Sequence, residues 1–560
     1  MHNQRGDDSP EDPASSREFA GMTFLRQPKS SLQLGGAEIV AYDKQRNIAA
    51  VSTGGSSLSL VSYRKGFSDP KAIAELELPG NAQSVAINEN GLIAVAIAVN
   101  ERNDGRIHFY QLDGKSASPK GSVAVGNLPD SISFTPDGNT LISANEGEPN
   151  KFYGTDDGVD PEGSISVVRI DARKPGRSKV STLKFGNYST DELRSRGVRI
   201  SGENPTPLQD IEPEYVSISP NGRDAFITLQ ENNAIARVDI KRRKIKDIFS
   251  QGLKDWSGTD LDTTDEDSTY APGPRNVVGL RMADGIDTFR HKGKTYLITA
   301  NEGDGRVRPD DVNFEAPLAD GTIYSYGDNL ADGVLAEIED ELTGANLYVY
   351  AAPDIGNRGN FDADQGDEFF ITLNYGPVSD DEFYSDEVRA GKLSTGDGTL
   401  INEGRLKTVQ DANDPITGLK GFGGRSFTIY DAKGNLVYDS GNLLDQITNA
   451  AGFYDDDRSD DKSIEPESVV TASIQGRRFA FIGLERPYNQ GDADALGTFI
   501  PVFEITKPNK PSYVGAFSSA ESLSPEGLSW VTGGNRGGHL LAANEVSGSL
   551  DAFRFHLGML

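Results

Sequence analysis

Pro213-Glu214-Tyr215-Val216-Ser217-Ile218-Ser219, the turn Pro220-Asn221-Gly222, and then Ala225-Phe226-Ile227-Thr228-Leu229-Gln230-Glu231-Asn232 form the stretch that decides the fold. Two runs of alternating apolar and polar residues flank a Pro-Asn-Gly turn, the pattern of an antiparallel strand pair with one buried face. A third alternating run, Ala234 to Ile240, and a fourth, Lys244 to Ser250, complete a four-stranded meander.

The unit recurs along the chain. An acidic or amide residue opens the first strand at Glu38, Gln83, Asp130, Glu214, Asp284, Glu467 and Glu526. The second strand ends at Asn100-Glu101, Asn145-Glu146, Gln230-Glu231, Asn301-Glu302, Leu484-Glu485 and Asn544-Glu545; the first unit has Ser52-Thr53 there. From opening residue to second glutamate the steps are 18, 16, 17, 18, 18 and 19 residues, a spread one variable turn absorbs. Seven four-stranded units, each needing neighbours to bury its faces, predict an all-β, seven-bladed β-propeller. The last unit ends after its third strand near Phe553 to Phe555, and the segment Met22 to Leu32 is expected to supply the fourth, pairing the two termini. Residues 22–560 are thus read as one domain, with a disordered tail at 1–21 and an insertion or cap at 305–424 in unit five that carries Phe369, Phe370, Ile371 and Leu373.

In such a blade the start of the first strand and the end of the second lie on the same face, so up to a dozen carboxylates and amides converge on one mouth of the central channel. Carboxylates so crowded repel one another, and hard cations held by oxygen are the usual resolution, calcium above all. The alternative is that each acid accepts backbone N–H groups from the neighbouring blade and serves closure alone. Three acidic loops, Asp156 to Glu162, Asp362 to Glu368 and Asp455 to Asp461, are candidate supporting calcium loops or solvated surface; none has the full EF-hand pattern. Cationic residues accompany the acids: Arg102, Arg306, Arg458, Lys462 and Arg486.

Composition sets further bounds. The 560 residues hold 55 Lys plus Arg against 85 Asp plus Glu, a formal charge of −30, which disfavours nucleic acid as a partner. With 62 Gly and 28 Pro the chain is rich in turns. It has no cysteine, so disulfides, thiolate metal sites and cysteine nucleophiles are excluded. His2, His108, His291, His539 and His556 have no short metal-ligand spacing. Neither a G-x-S-x-G elbow nor a P-loop is evident. No apolar run is long enough to span a membrane, and the first 21 residues contain no signal-peptide core.

The runs Ser143-Ala144-Asn145-Glu146-Gly147-Glu148-Pro149, Thr299-Ala300-Asn301-Glu302-Gly303-Asp304, Arg458-Ser459-Asp460-Asp461-Lys462, Gly483-Leu484-Glu485-Arg486 and Ala543-Asn544-Glu545-Val546-Ser547-Gly548 resemble the choice-of-anchor I family, over roughly Gly35 to Phe555. That resemblance implies bacterial export to the periplasm, medium or cell surface, a propeller of the WD40 or YVTN type, and relatives labelled alkaline phosphatase or mesenchyme-specific cell surface glycoprotein. PhoX-type alkaline phosphatases, similar in architecture, use calcium with iron; this chain departs from them in lacking cysteine. The resulting expectation is an exported, metal-dependent phosphoester hydrolase acting on small phosphorylated substrates. Asp130, Glu146, Glu214, Asp284, Glu302, Glu467, Glu485 and Glu526 would bind calcium, with iron as a second metal, and Arg486 and Arg306 would hold the phosphoryl oxygens. The rival expectation is a non-enzymatic calcium-binding surface or matrix propeller.

Overall fold

In the computed structural model the described residues are 23–100, 102–149, 159–201, 206–265, 267–306, 419–487, 497–534 and 536–560, with short strands between 315 and 409. The all-β expectation holds. Among these residues each of the seven repeat units lies in a sheet of four antiparallel strands, the sixth of which gains a short fifth strand. The fourth unit pairs Pro213–Ile218, Asp224–Leu229, Ala234–Asp239 and Lys244–Ser250 in sequence order. The fifth pairs Ile286–His291 with Lys294–Asn301 and resumes beyond the insertion with Ser426–Asp431 and Leu436–Asp439.

The second strands are buried along nearly their whole length, Ile48–Ser52 and Leu92–Ala98 among them, because both sheet faces pack on neighbours. Each pair of consecutive sheets encloses its own apolar cluster. Ile142, Ile165 and Val167 of the third sheet meet Val216, Ala225 and Val238 of the fourth. Phe427 and Ile429 of the fifth meet Ile482, Phe499 and Phe503 of the sixth. Val40, Val51 and Val61 of the first sheet meet Leu541, Leu550 and Ala552 of the seventh. Each fully buried aliphatic or aromatic side chain contributes about 1.5–3 kcal/mol of transfer free energy, spread here over many small interfaces rather than one core.

The N-terminal segment serves two sheets. Ser30–Gln33 lies antiparallel along Ser549–His556 as the fourth strand of the seventh sheet. Leu25–Arg26 lies parallel to Ser512–Ser519 of the sixth, a contact the repeat pattern gave no reason to expect. Between the two sheets Phe24, 4% exposed, packs its ring 5.5 Å from Phe517 and 5.8 Å from Phe555. Gly515 makes room for it: a Cβ there would fall 2.5 Å from the Phe24 ring and carbonyl oxygen.

A further sheet outside the seven units joins Leu253–Asp255 and Val277–Leu280 to Leu419–Gly421, Leu406–Val409, Glu387–Ala390, Phe369–Thr372 and Tyr348–Ala351. Phe369, Phe370 and Ile371 are therefore strand residues. Their side chains, most of 305–424 and the tail 1–21 lie outside the described residues.

Replacing Phe24 with Ala should lower unfolding stability by about 3 kcal/mol, read from the midpoint of guanidinium unfolding. An unchanged midpoint would mean that this strap does not hold the sixth and seventh sheets.

Candidate metal centre

One cavity of about 450 Å³ touches the beginning of the first strand of all seven sheets, at Ile39, Gln83, Asp130, Glu214, Asp284, Glu467 and Glu526. The backbone explains why these residues face it. In four sheets a bulge interrupts the ladder at the start of the first strand, around Gln83, Glu214, Glu467 and Glu526. A bulged residue is released from the alternation of the strand and its side chain is re-aimed, here inward. In the third and fifth sheets the strand starts two residues after Asp130 and Asp284, which leaves those acids on the connecting turn.

In four of the units the end of the second strand is fastened beside the opening acid by a recurring device. The residue two positions before the opening acid has positive φ at Leu128 (42°), Met282 (43°), Glu465 (45°) and Ser524 (63°). Left-handed backbone costs an ordinary residue roughly 1–2 kcal/mol, and it persists only where surrounding bonds fix it. Here the turned carbonyls accept from the second-strand ends: Glu146 N to Leu128 O at 2.9 Å, Glu485 N to Glu465 O at 2.8 Å, Glu545 N to Ser524 O at 2.8 Å, and Gly303 N to Met282 O at 2.9 Å. The neighbouring asparagine has a different task. Asn145 donates to Ser166 Oγ at 3.0 Å and Asn301 to Thr428 Oγ1 at 2.7 Å, both side chains fully buried, so the amide clamps second strand to third while the glutamate faces the cavity.

Six of the eight expected ligands form two triads: Asp130, Glu146 and Glu214, and Glu302, Glu467 and Glu485. Within each triad one carboxylate oxygen per residue lies within 4.8 Å of the others. Asp284 and Glu526 line the same cavity without belonging to either triad. Burial, then Glu148 and Asp130, pushes Glu146 well above the usual carboxylate range, and burial, then Glu146 and Glu231, does the same to Glu214. Burial and Glu148 raise Asp130 to about 7. Burial raises Glu485 to about 8 against the pull of Arg486, and Glu467, Asp284 and Glu526 are raised mainly by burial.

The cations gather on one side. Lys462 Nζ lies 2.8 Å from Glu302 and 3.0 Å from Glu465, and Arg486 lies 2.7 Å from Glu485. Burial works against ionisation of Glu465, but Arg458, Lys462 and Arg486 hold it down at about 2. Arg306 is buried, 2.8 Å from Glu212 and 2.5 Å from Asp160, and also donates to Gln209 O at 2.8 Å, so its guanidinium is spent on carboxylates and a carbonyl of the wall. Arg102 is exposed and is not among the cavity-lining residues; its neighbour Glu101 is outside the described residues. In the loop Asp455 to Asp461, Arg425 donates to Ser459 O at 2.7 Å and Asp461 O at 2.8 Å, and Lys407 lies 3.1 Å from the Asp461 carboxylate. That loop is thus tied by cations of the protein itself. The Asp362 to Glu368 cluster and Asp156 to Gly158 of the first loop lie outside the described residues; of that loop's remaining acids, Asp160 pairs with Arg306 and Glu162 with Lys184.

The cavity also recruits Glu148, Glu212 and Asp304, which the repeat does not single out. Their signal was in the sequence at one remove. Glu146-Gly147-Glu148 and Glu302-Gly303-Asp304 repeat an acid two residues on, and Glu212-Pro213-Glu214 and Glu465-Pro466-Glu467 repeat one two residues before.

The family model for the choice-of-anchor I domain matches residues 38–341 and 359–508. The chain belongs to the choice-of-anchor I family. No curated protein matches it significantly. Among solved structures this choice-of-anchor I chain is similar to the hydrazine synthase of Kuenenia stuttgartiensis, with 11% identity, a TM-score of 0.40 and coverage of 95% of this chain and 99% of the other. It is also similar to Sqt1 of Saccharomyces cerevisiae (9%, 0.41, 95% and 100%) and to the Cps50 (Swd1) β-propeller domain of Myceliophteria thermophila (9%, 0.42, 94% and 98%). These are likenesses of fold, and nothing of those proteins' chemistry passes to the choice-of-anchor I chain.

A carboxyl group whose pKa is raised by folding binds a proton that the unfolded chain has lost, so it weakens the fold as pH rises from the unfolded value through the folded one. For Asp130 and Glu485 that window runs from about 4 to about 8. Chelated protein should therefore melt at progressively lower temperature from pH 5 to pH 8, and calcium should raise melting more at pH 8 than at pH 5. A pH-independent melting temperature without calcium would contradict this electrostatic reading.

Proposed function

We propose that this choice-of-anchor I protein is an exported, cell-surface-associated propeller whose channel mouth binds divalent cations and hydrolyses small phosphoesters. The carrying observation is the pair of carboxylate triads in one cavity. The donor set fits: the triads offer only carboxylate oxygen, and no sulfur or imidazole lines the cavity among the described residues, which suits calcium or another hard cation better than a soft one. Iron as a second ion is the less favoured part of the reading for the same reason.

The architecture that goes with this function is a closed seven-bladed ring. Its support is the apolar cluster between each consecutive pair of sheets, last and first included, and the Ser30–Gln33 strand that joins the chain's beginning to its last sheet.

Asp130, Glu146 and Glu214 would hold one ion and Glu302, Glu467 and Glu485 the other, with Asp284 and Glu526 adding negative charge between them. A divalent cation there would supply Lewis acidity toward a phosphoryl oxygen and toward the attacking water. Arg486, with 24% of its side chain exposed, and Lys462 lie beside the second triad and would contact the phosphoryl oxygens. Arg306, in this reading, positions Glu212 and Asp160 rather than touching substrate. A second reading is favoured by one observation: Arg306, Lys462 and Arg486 all pair with carboxylates, as in a calcium-stabilised surface protein without turnover.

The deciding assay is hydrolysis of p-nitrophenyl phosphate at alkaline pH, before chelation, after it, and after adding calcium with or without iron. Turnover should vanish on chelation and return with metal. Glu467→Gln should abolish it, and Arg486→Ala should lower it about a hundredfold at an unchanged melting temperature, the size of one lost transition-state donor. No turnover in any condition would sink the enzyme reading, and full activity in Arg486→Ala would sink the role given to Arg486.

A further inference from the structure

Against a chain charge of −30, the third and fourth sheets concentrate basic residues at one place. Five of the six residues from Lys241 to Lys246 are Lys or Arg, and the segment from Arg169 to Lys184 has six basic residues with Asp171 as its only acid. These segments are the turns and flanking strands that join the third strand to the fourth in each of the two sheets.

The turns share an end of the molecule. Pro136-Asp137-Gly138 and Pro220-Asn221-Gly222 follow the first strands of the third and fourth sheets, at the ends opposite Asp130 and Glu214. They border a groove of about 600 Å³ whose cationic walls are Arg169, Lys179, Lys241 and Arg243. A second groove of about 780 Å³, bordered by Lys184, Arg242, Lys244 and Lys246, continues from it through the shared Arg243. Together they make an elongated trough along the outer strands that begins at the end opposite Asp130 and Glu214 and runs up to Lys184.

Part of this charge is neutralised in place: Lys184 pairs with Glu162, Arg242 lies 3.4 Å from Asp239, and Lys246 lies 3.4 Å from Asp224. Among the described residues, Arg169, Lys179, Lys241, Arg243 and Lys244 are exposed and have no carboxylate within ion-pair distance. Arg243 occupies a left-handed position, φ 52°, where the corresponding turns of the second and fifth sheets use Gly114 and Gly434. An arginine at a glycine-favouring position is a local cost, and folding gives it no ion pair in return.

We propose that this trough binds a linear anionic glycan, a chain whose sulfate or uronate groups recur between hydroxyl-bearing sugars. The proposal is independent of the function assigned to the carboxylate cavity. Charge complementarity supplies the attraction, and an extended double groove fits a chain rather than one small anion. Between the cations the walls offer Thr135, Asn139, Ser181, Asn221 and Asn187, neutral donors and acceptors suited to sugar hydroxyls. Tyr188 is the one aromatic residue lining either groove, a poor platform for stacked bases. The net negative charge of the rest of the molecule opposes the broad approach that duplex nucleic acid or an anionic bilayer demands.

The full chain is tested by biolayer interferometry against immobilised chondroitin sulfate, neutral dextran, a single-stranded oligonucleotide, and vesicles of equimolar phosphatidylcholine and phosphatidylglycerol. Binding to chondroitin sulfate but not dextran is expected, weakening steeply with salt. A variant carrying Arg169→Gln, Lys179→Gln, Lys241→Gln and Arg243→Asn should bind at least about tenfold more weakly, with a shallower salt dependence, while melting as the parent does. Asparagine is chosen at 243 because it tolerates the left-handed turn. Absence of glycan binding at low salt, equal binding by the variant, or tighter binding to the oligonucleotide or the vesicles would overturn the proposal.

Discussion

Mutual repulsion among carboxylates at the meeting point of seven strands is the constraint on which the rest of this molecule depends. A lone buried carboxylate costs several kcal/mol of solvation, and like charges nearby add to that cost. The protein gathers more than ten acids around one cavity and supplies cations chiefly on the side of Lys462 and Arg486. The group around Asp130, Glu146 and Glu214 is left with acids for neighbours, and its carboxyls are raised accordingly. In the function proposed above, such a site attracts positive charge from outside the chain.

The scaffold tolerates this because cohesion lies elsewhere. Apolar clusters between consecutive sheets are separated from the cavity by the buried asparagine clamps, and the backbone bonds from Glu146, Glu485 and Glu545 to left-handed residues fix the acids without asking their side chains to contribute. Close approach of the first strands completes the wall. A Cβ on Gly285 would fall 2.3 Å from Glu467 O, and one on Gly527 would fall 2.2 Å from Glu38 O, so glycine is required beside two of the acids for reasons of space alone.

Much of this was legible in the sequence, for a physical reason. Alternation of period two and Pro-Asn-Gly turns specify local strand pairs, and repetition carries them across the chain, so the four-stranded units and the inward acids could be read from Pro213 to Asn232 outward. The Leu25–Arg26 contact could not, since a two-residue parallel pairing leaves no periodic trace. The separate tasks of Asn145 and Glu146 were also hidden, because adjacent strand residues point to opposite faces but sequence alone does not say which face is the seam. The engagement of Arg306 depends on Asp160 and Glu212, far away in the chain, and no spacing rule reaches that far.

The most direct test of the central claim is calcium titration of the chelated protein by equilibrium dialysis, with the parent chain, Glu214→Gln and Glu467→Gln. Two ions bound by the parent, with each variant losing one while remaining folded, is the predicted result. Absence of calcium binding by the folded parent, or two ions retained by both variants, would contradict the claim that the carboxylate triads are the cation sites.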